Sequence, residues 1–196
     1  MSNFYIGDPH FFHSNILRYD NRPFRNADIM NDILIRNWNN TVSDEDTVYI
    51  LGDVSWSRDP EVNRAILQGL NGHKILIRGN HDKPMRAVYD CFDKVVDYLE
   101  IEDNGVKVIL FHYPILFWNG QFHDSVHLYA HVHNSHQWHI MESTLREVKE
   151  LQAIPMRAYN VGCMIPWMNY APQTLNSIIA GYDKWTTPDG VIGGSR

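Results

Sequence analysis

A chain of 196 residues favours one domain with a substantial core. With 44% hydrophobic and 20% charged residues it has an ordinary globular composition, and a net charge of −6 excludes a general basic field for nucleic acid or an anionic membrane. No apolar run is long enough to span a bilayer, and with a polar cluster already at Asp8 no signal or transit peptide is expected.

Taken in chain order, Phe4–Ile6 is a short aromatic and β-branched run that predicts a strand before Asp8-Pro9-His10. Asn26 is placed to cap a helix whose Ile29, Met30, Ile33, Leu34 and Trp38 form one apolar face. Val48–Leu51 predicts a strand before Gly52-Asp53. Asp59 then caps a helix that Pro60 opens, with Val62, Ala65, Ile66 and Leu70 as its stripe and Gly69 or Gly72 as its end. Ile75–Ile77 precedes Gly79-Asn80-His81-Asp82, Val106–Phe111 precedes His112, and Val126–Ala130 precedes His131-Val132-His133. Glu142–Leu151 predicts a charged helix with a thin stripe of Leu145, Val148 and Leu151, a solvated flank or alternatively a small cap or dimer face. A strand follows at Ala158–Val161, and Thr174 caps Leu175–Ala180 with Gly181 as the stop. One domain is expected over 1–185, with a loose Pro/Gly/Asp-rich tail at 186–196. Cys91 and Cys163 lack metal-binding spacing, so free thiols and a cytoplasmic location are expected.

Each polar cluster follows a strand-like run, at the strand ends where the loops of α/β sheets gather ligands. Asp8, His10, Asp53, Asn80, His112, His131 and His133 offer carboxylates, imidazoles and one carboxamide, with His81 left over. That set reads as a site for two transition-metal ions, which points to phosphate-ester chemistry.

In this order the motifs Asp8-x-His10, Gly52-Asp53, Gly79-Asn80-His81-Asp82, His112 and His131-x-His133 resemble the signature of the calcineurin-like metallophosphoesterases. The resemblance runs from about Phe4 to His133, with a continuation to Tyr159–Gly162. It implies an α/β fold, a four-layer αββα sandwich of two mixed β-sheets flanked by helices. It implies that Asp8, His10, Asp53 and His133 hold one metal and that Asp53, Asn80, His112 and His131 hold the other, with Asp53 as the bridge. It also implies attack of a metal-bridging hydroxide on phosphorus, with His81 contacting the phosphate or protonating the leaving group. Asp82 would then fix the tautomer of His81. One position departs from the pattern: Ala130 stands where the family's last motif usually has Gly. If that position needs a positive φ, strain of about 1 kcal/mol is expected there; if Gly serves only tight packing, one methyl is absorbed.

Imidazoles mixed with carboxylates and an amide oxygen, without thiolate, suit two divalent transition-metal ions, Mn²⁺ first and then Fe, Zn²⁺, Ni²⁺ or Co²⁺. Phosphodiester hydrolysis is expected ahead of monoester hydrolysis, because small family members without a large cap often act on diesters. A phosphomonoesterase or nuclease of the same fold is the alternative, and so is a non-catalytic metal-binding scaffold, against which the complete ligand set and His81 argue. The expected partner is a phosphate-ester small molecule, a nucleotide included, with nucleic acid disfavoured by the net charge and no membrane contact. His13 either reaches the substrate phosphate or opens the Ser14–Tyr19 helical turn. Trp118, in the aromatic loop Tyr113–Phe122, is the candidate to stack on a base. Arg78 reads as half of a structural ion pair, and His123, His127, His136 and His139 as loop histidines supporting the ligand shell.

Overall fold

The computed structural model describes residues 1–153 and 156–186, so the predicted tail, Thr186 apart, lies outside the described residues. Strands β1 (Asn3–Ile6), β2 (Thr47–Ile50), β3 (His73–Ile77) and β4 (Lys94–Val96) form one sheet in that order, all parallel. Strands β5 (Tyr98–Asp103), β6 (Val106–Phe111), β7 (Val126–Tyr129) and β8 (Ala158–Asn160) form the second sheet. There β5 is antiparallel to β6 and the other pairs are parallel. Helices α1 (Ile16–Tyr19), α2 (Ala27–Thr41), α3 (Pro60–Gly69), α4 (His136–Gln152) and α5 (Leu175–Thr186) flank the sheets. The expected α/β sandwich is present, with one correction: only the second sheet is mixed. No described helix is long and apolar enough to cross a membrane.

Local chemistry explains the starts of two helices. Asn26 caps α2 by accepting from the backbone N–H of Ile29 at 2.9 Å, and Asp59 caps α3 by accepting from Glu61 at 2.9 Å with Pro60 behind it. The buried faces are rotated from those expected. In α2, Ile29 is exposed and Asn31 buried, because Asn31 Oδ1 accepts from the backbone N–H of Phe12. In α3 the inward residues are Asn63 and Leu67, and Ala65 faces solvent. Gly181 does not stop α5 but sits inside it, where a Cβ would lie 2.3 Å from Cβ of Trp167. There the glycine serves close packing. Helix α4 begins at His136, one turn and more before the predicted start, and its Glu142 is buried. That carboxylate accepts from Tyr129 Oη, Trp138 Nε1 and Tyr182 Oη, so this part of α4 is tied into the core. His127 lies buried in β7, as the run Val126–Ala130 predicts and not as a loop histidine, and burial pushes its imidazole down to about 4.

The core fills the space about both sheets, with Tyr5, Leu76, Ile77, Val108, Leu110, Leu128 and Tyr129 among its fully buried members. What positions the site is the seam between the sheets. The Gly7 N–H donates to Val161 O at 2.7 Å and Cys163 N–H donates to Gly7 O at 2.8 Å, so the segment after β8 runs beside the end of β1. In-register pairing of Ile6 with Ile50 and of Ile50 with Leu76 brings the first three strands to a common level. The polar loops that follow therefore open on one edge of the molecule.

Candidate metal centre

Five loops meet at that edge, and their close approach depends on small residues. A Cβ on Gly52 would come within 2.5 Å of the Gly79 nitrogen, and one on Gly79 would come within 2.2 Å of Asp53 Oδ1. The Gly-Asp and Gly-Asn-His-Asp motifs thus need glycine because their backbones touch. Ala130 has no positive φ; the left-handed backbone falls instead on Asp8 (51°), His10 (52°), Asp53 (54°), His131 (66°) and His133 (49°). The strain expected at Ala130 is absent, and the ligand residues themselves carry about 1 kcal/mol or more each. The alanine methyl is accommodated by Gly7, whose own Cβ would lie 2.5 Å from it.

The side chains converge as two groups. Asp8, His10 and His133 form one and Asp53, His112 and His131 the other, each with its potential ligand atoms within 4.8 Å of one another. One oxygen joins them: Asp53 Oδ2 lies 3.7 Å from His10 Nε2 and 3.7 Å from His112 Nε2. Asn80 Oδ1 lies 3.1 Å from His112 Nε2, on the second group. Whether these residues suit cations can be judged from atoms left without partners. Asp8 Oδ1 and His10 Nε2 are buried with no hydrogen-bond partner among the described residues. Orphaned buried acceptors are costly unless something else satisfies them, and a divalent ion held by Asp8, His10 and His133 would do so.

Outer contacts orient the inner ones. His112 Nδ1 donates to Leu51 O at 2.7 Å, which leaves Nε2 as the lone-pair nitrogen facing the site. His133 Nδ1 donates to Asp20 Oδ1 at 2.7 Å and turns Nε2 toward Asp8 Oδ2, 3.7 Å away. Asp20 is itself held by Arg22, whose buried guanidinium also donates to the carbonyls of Asp8 and Pro9 at 2.9 Å each. Asp8 Oδ2 accepts from the His131 N–H at 2.9 Å, so one ligand braces the loop of another.

These surroundings set the charges. Burial pushes the Asp8 and Asp53 carboxyls above the usual carboxylate range, and for Asp53 the Asp8 charge adds to it. Burial also holds His10 well below its ordinary value, with His133 and Arg22 contributing. Burial pulls His133 down as well, but Asp8 and Asp20 outweigh it and the net movement is upward. The raised carboxyls and the raised His133 hold protons that a divalent cation would displace, and His10 is already held neutral.

A cleft of about 400 Å³ opens over the ligands, lined also by His13, Ile16, Tyr19, Trp56 and His81. His81 is exposed at this cleft, its ring 4.6 Å from Trp56 and 6.2 Å from His10. His13 stacks on Trp56 at 4.0 Å, nearly parallel, and its Nδ1 lies 3.4 Å from His10 Nδ1.

Two expectations are corrected. Asp82 does not orient His81: its buried carboxylate accepts from the backbone N–H groups of Asp53, Val54 and Gly79, and so fixes the two glycine-bearing loops against each other. Trp118 does not face the substrate cleft, for it is buried, donates to Ser125 Oγ and lies against His127. The tryptophan at the site is Trp56, 42% exposed and three residues after Asp53, a placement that motif spacing alone could have suggested. Asp20 and Arg22 were also missed, and only the rarity of a buried arginine marks them. Arg78 does pair with Asp97, as expected.

Comparison with known proteins agrees with this geometry. Residues 4–160 match the family model described as calcineurin-like phosphoesterase. An uncharacterized protein of Methanocaldococcus jannaschii is 35% identical over 180 residues, which cover 91% of this chain and 90% of that relative. The crystal structure of a protein of unknown function from Aquifex aeolicus superposes with a TM-score of 0.61 at 23% identity, covering 91% of this chain and 97% of that one, a likeness of fold.

Proposed function

The chain belongs to the calcineurin-like phosphoesterase family, hydrolases of ester bonds, and from that premise we propose that it hydrolyses phosphodiesters of small molecules at a pair of divalent ions, with Mn²⁺ the favoured metal. The observation that carries the reading is Asp53 Oδ2 at 3.7 Å from an imidazole of each ligand group, a carboxylate oxygen placed between two sites. Asp8, His10, Asp53 and His133 would hold one ion, and Asp53, Asn80, His112 and His131 the other. When bound, such ions supply Lewis acidity toward the phosphate oxygens and lower the pKa of the attacking water. The ligand set, imidazole and oxygen without thiolate, supports Mn²⁺ over softer ions.

The chain's own residues do the rest. Asp53 and Asp8 keep the centre from carrying excess positive charge, and Arg22 holds the Asp8–His10 loop in its strained conformation. As water oxygen bonds to phosphorus, the bond from phosphorus to the leaving oxygen breaks. His81, exposed at the cleft, gives that oxygen its proton. His13 and Trp56 form a stacked wall suited to a planar ring on the leaving side, which supports a nucleotide-like or aromatic ester. Among the described residues no lysine or arginine lines this cleft, which favours a singly charged diester over a doubly charged monoester.

The test is turnover of bis-p-nitrophenyl phosphate against p-nitrophenyl phosphate by the Mn²⁺-loaded protein. The proposal expects the diester to have the higher kcat/KM. A clear preference for the monoester would replace the diester reading with a phosphomonoesterase. No turnover of either, with two metals bound, would leave a metal-binding scaffold.

A further inference from the structure

A second cleft, of about 440 Å³, shares Asn80 with the metal centre and none of its imidazoles. Its wall toward the centre is Tyr113, whose ring lies 5.0 Å from His112 and 4.5 Å from His131. Three cations line it: Arg78, Lys83 and Arg86. Two acids are also present. Asp97 is paired with Arg78, and Asp82 is buried with its carboxylate committed to backbone N–H groups. Lys83 and Arg86 have no hydrogen-bond or ion-pair partner among the described residues, and Arg78 Nε is buried without one.

This local excess of positive charge stands out in a chain of net charge −6. Cations gathered on one concave wall repel each other, and an anion relieves that repulsion while accepting their hydrogen bonds. The cleft adjoins only Asn80 of the candidate metal ligands, so the ester cut at the metals does not fill it. We propose that it is a second anion subsite, which receives a further phosphate group carried by the same substrate. The substrate would then be a bisphosphate, with one phosphate esterified and cleaved over Asp53 and the other held by Lys83 and Arg86. The aromatic wall of Trp56 and His13 and the cationic wall of Lys83 and Arg86 belong to separate clefts, so the two ends of the substrate are told apart.

The inference rests on the phosphoesterase reading, and its test separates the two. Calorimetry on the Mn²⁺-loaded protein compares thymidine 3′,5′-bisphosphate with thymidine 5′-monophosphate, and the readout is the ratio of their affinities within each variant. The wild type should bind the bisphosphate about tenfold or more the tighter, as expected for charge-assisted hydrogen bonds. In Lys83→Ala/Arg86→Ala that ratio should fall close to one, whereas Arg36→Ala, an exposed charge on α2 outside the cleft, should keep it. Equal affinities in the wild type, or a preference that survives the double variant, would overturn the subsite. Turnover of bis-p-nitrophenyl phosphate by the same wild-type preparation is read separately. A retained affinity ratio without turnover would count against the enzyme, and turnover without the ratio would count against the subsite.

Discussion

Replacing Asp20 with Asn should weaken one metal site and spare the other. His133 Nδ1 donates to Asp20 Oδ1 at 2.7 Å, and Asp20 Oδ2 accepts from Arg22 Nε at 2.9 Å and Nη2 at 2.8 Å. An amide preserves the shape and the acceptor but removes the negative charge. The His133 proton then has a weaker partner, and Nε2, which faces Asp8, becomes a poorer ligand. Loss of such an outer contact costs about 10- to 100-fold in metal affinity, or roughly 1.4–2.8 kcal/mol at 1.4 kcal/mol per tenfold. The loss should be confined to the ion held by Asp8, His10 and His133, because among the described residues Asp20 bonds to His133, Arg22 and Asn134 and to none of Asp53, His112 and His131. Arg22 still donates to the Asp8 and Pro9 carbonyls, so the loop should keep its course. Stepwise Mn²⁺ titration by calorimetry reads both sites, with metal content checked by elemental analysis. Two steps of unchanged affinity, or an equal loss in both, would refute the chain of contacts from Arg22 through Asp20 to His133.

Three other outcomes follow from the same geometry. His81→Ala should retain both metals and lower kcat by about 10²–10³-fold, with less effect on a substrate whose leaving group needs no proton, such as p-nitrophenolate; comparison of an alkyl with a p-nitrophenyl ester reads this. The Asp8 and Asp53 carboxyls are raised by burial, so in metal-free protein their stabilising contribution is full at acid pH and is lost as pH rises through their folded values. Divalent ions favour the charged forms, and burial already keeps His10 neutral; the gain in Tm on adding Mn²⁺ should therefore widen from about pH 5 to about pH 7, and a gain that shrinks over that range would contradict the charge assignment. Gly7→Ala should cost about 1–3 kcal/mol by urea denaturation, because its methyl would meet that of Ala130, and Ala130→Gly in the same chain should restore most of it.

The ligands were readable in one dimension because each stands directly after a strand, where a short apolar run announces its own end. Asp53 as the shared residue followed from the family resemblance, and the geometry about its Oδ2 agrees. Residues that act across the fold left no such mark. Asp20 meets His133 over 113 positions of sequence, and nothing in the Asp20-Asn21-Arg22 run hints at a buried pair. Trp118 and Trp56 are alike as letters; one is held inward by Ser125 and the other is left at the cleft by the turn after Asp53. Strands β4 and β5 were missed because they are short or largely exposed, although the Asn104-Gly105 turn, with positive φ at both residues, is a strong hairpin signal between β5 and β6. Ala130 looked like a defect because its partner, Gly7, is distant in sequence and adjacent in space.

The central claim is that Asp53 joins two metal ions at one hydrolytic site. It is tested most directly by metal content and diester turnover in the wild type and in Asp53→Ala, measured on the same preparations. The wild type should carry two Mn²⁺ per chain and hydrolyse bis-p-nitrophenyl phosphate, and the variant should lose affinity for both ions together with turnover. A variant that keeps one ion at wild-type affinity, or that keeps its activity, would contradict the shared carboxylate.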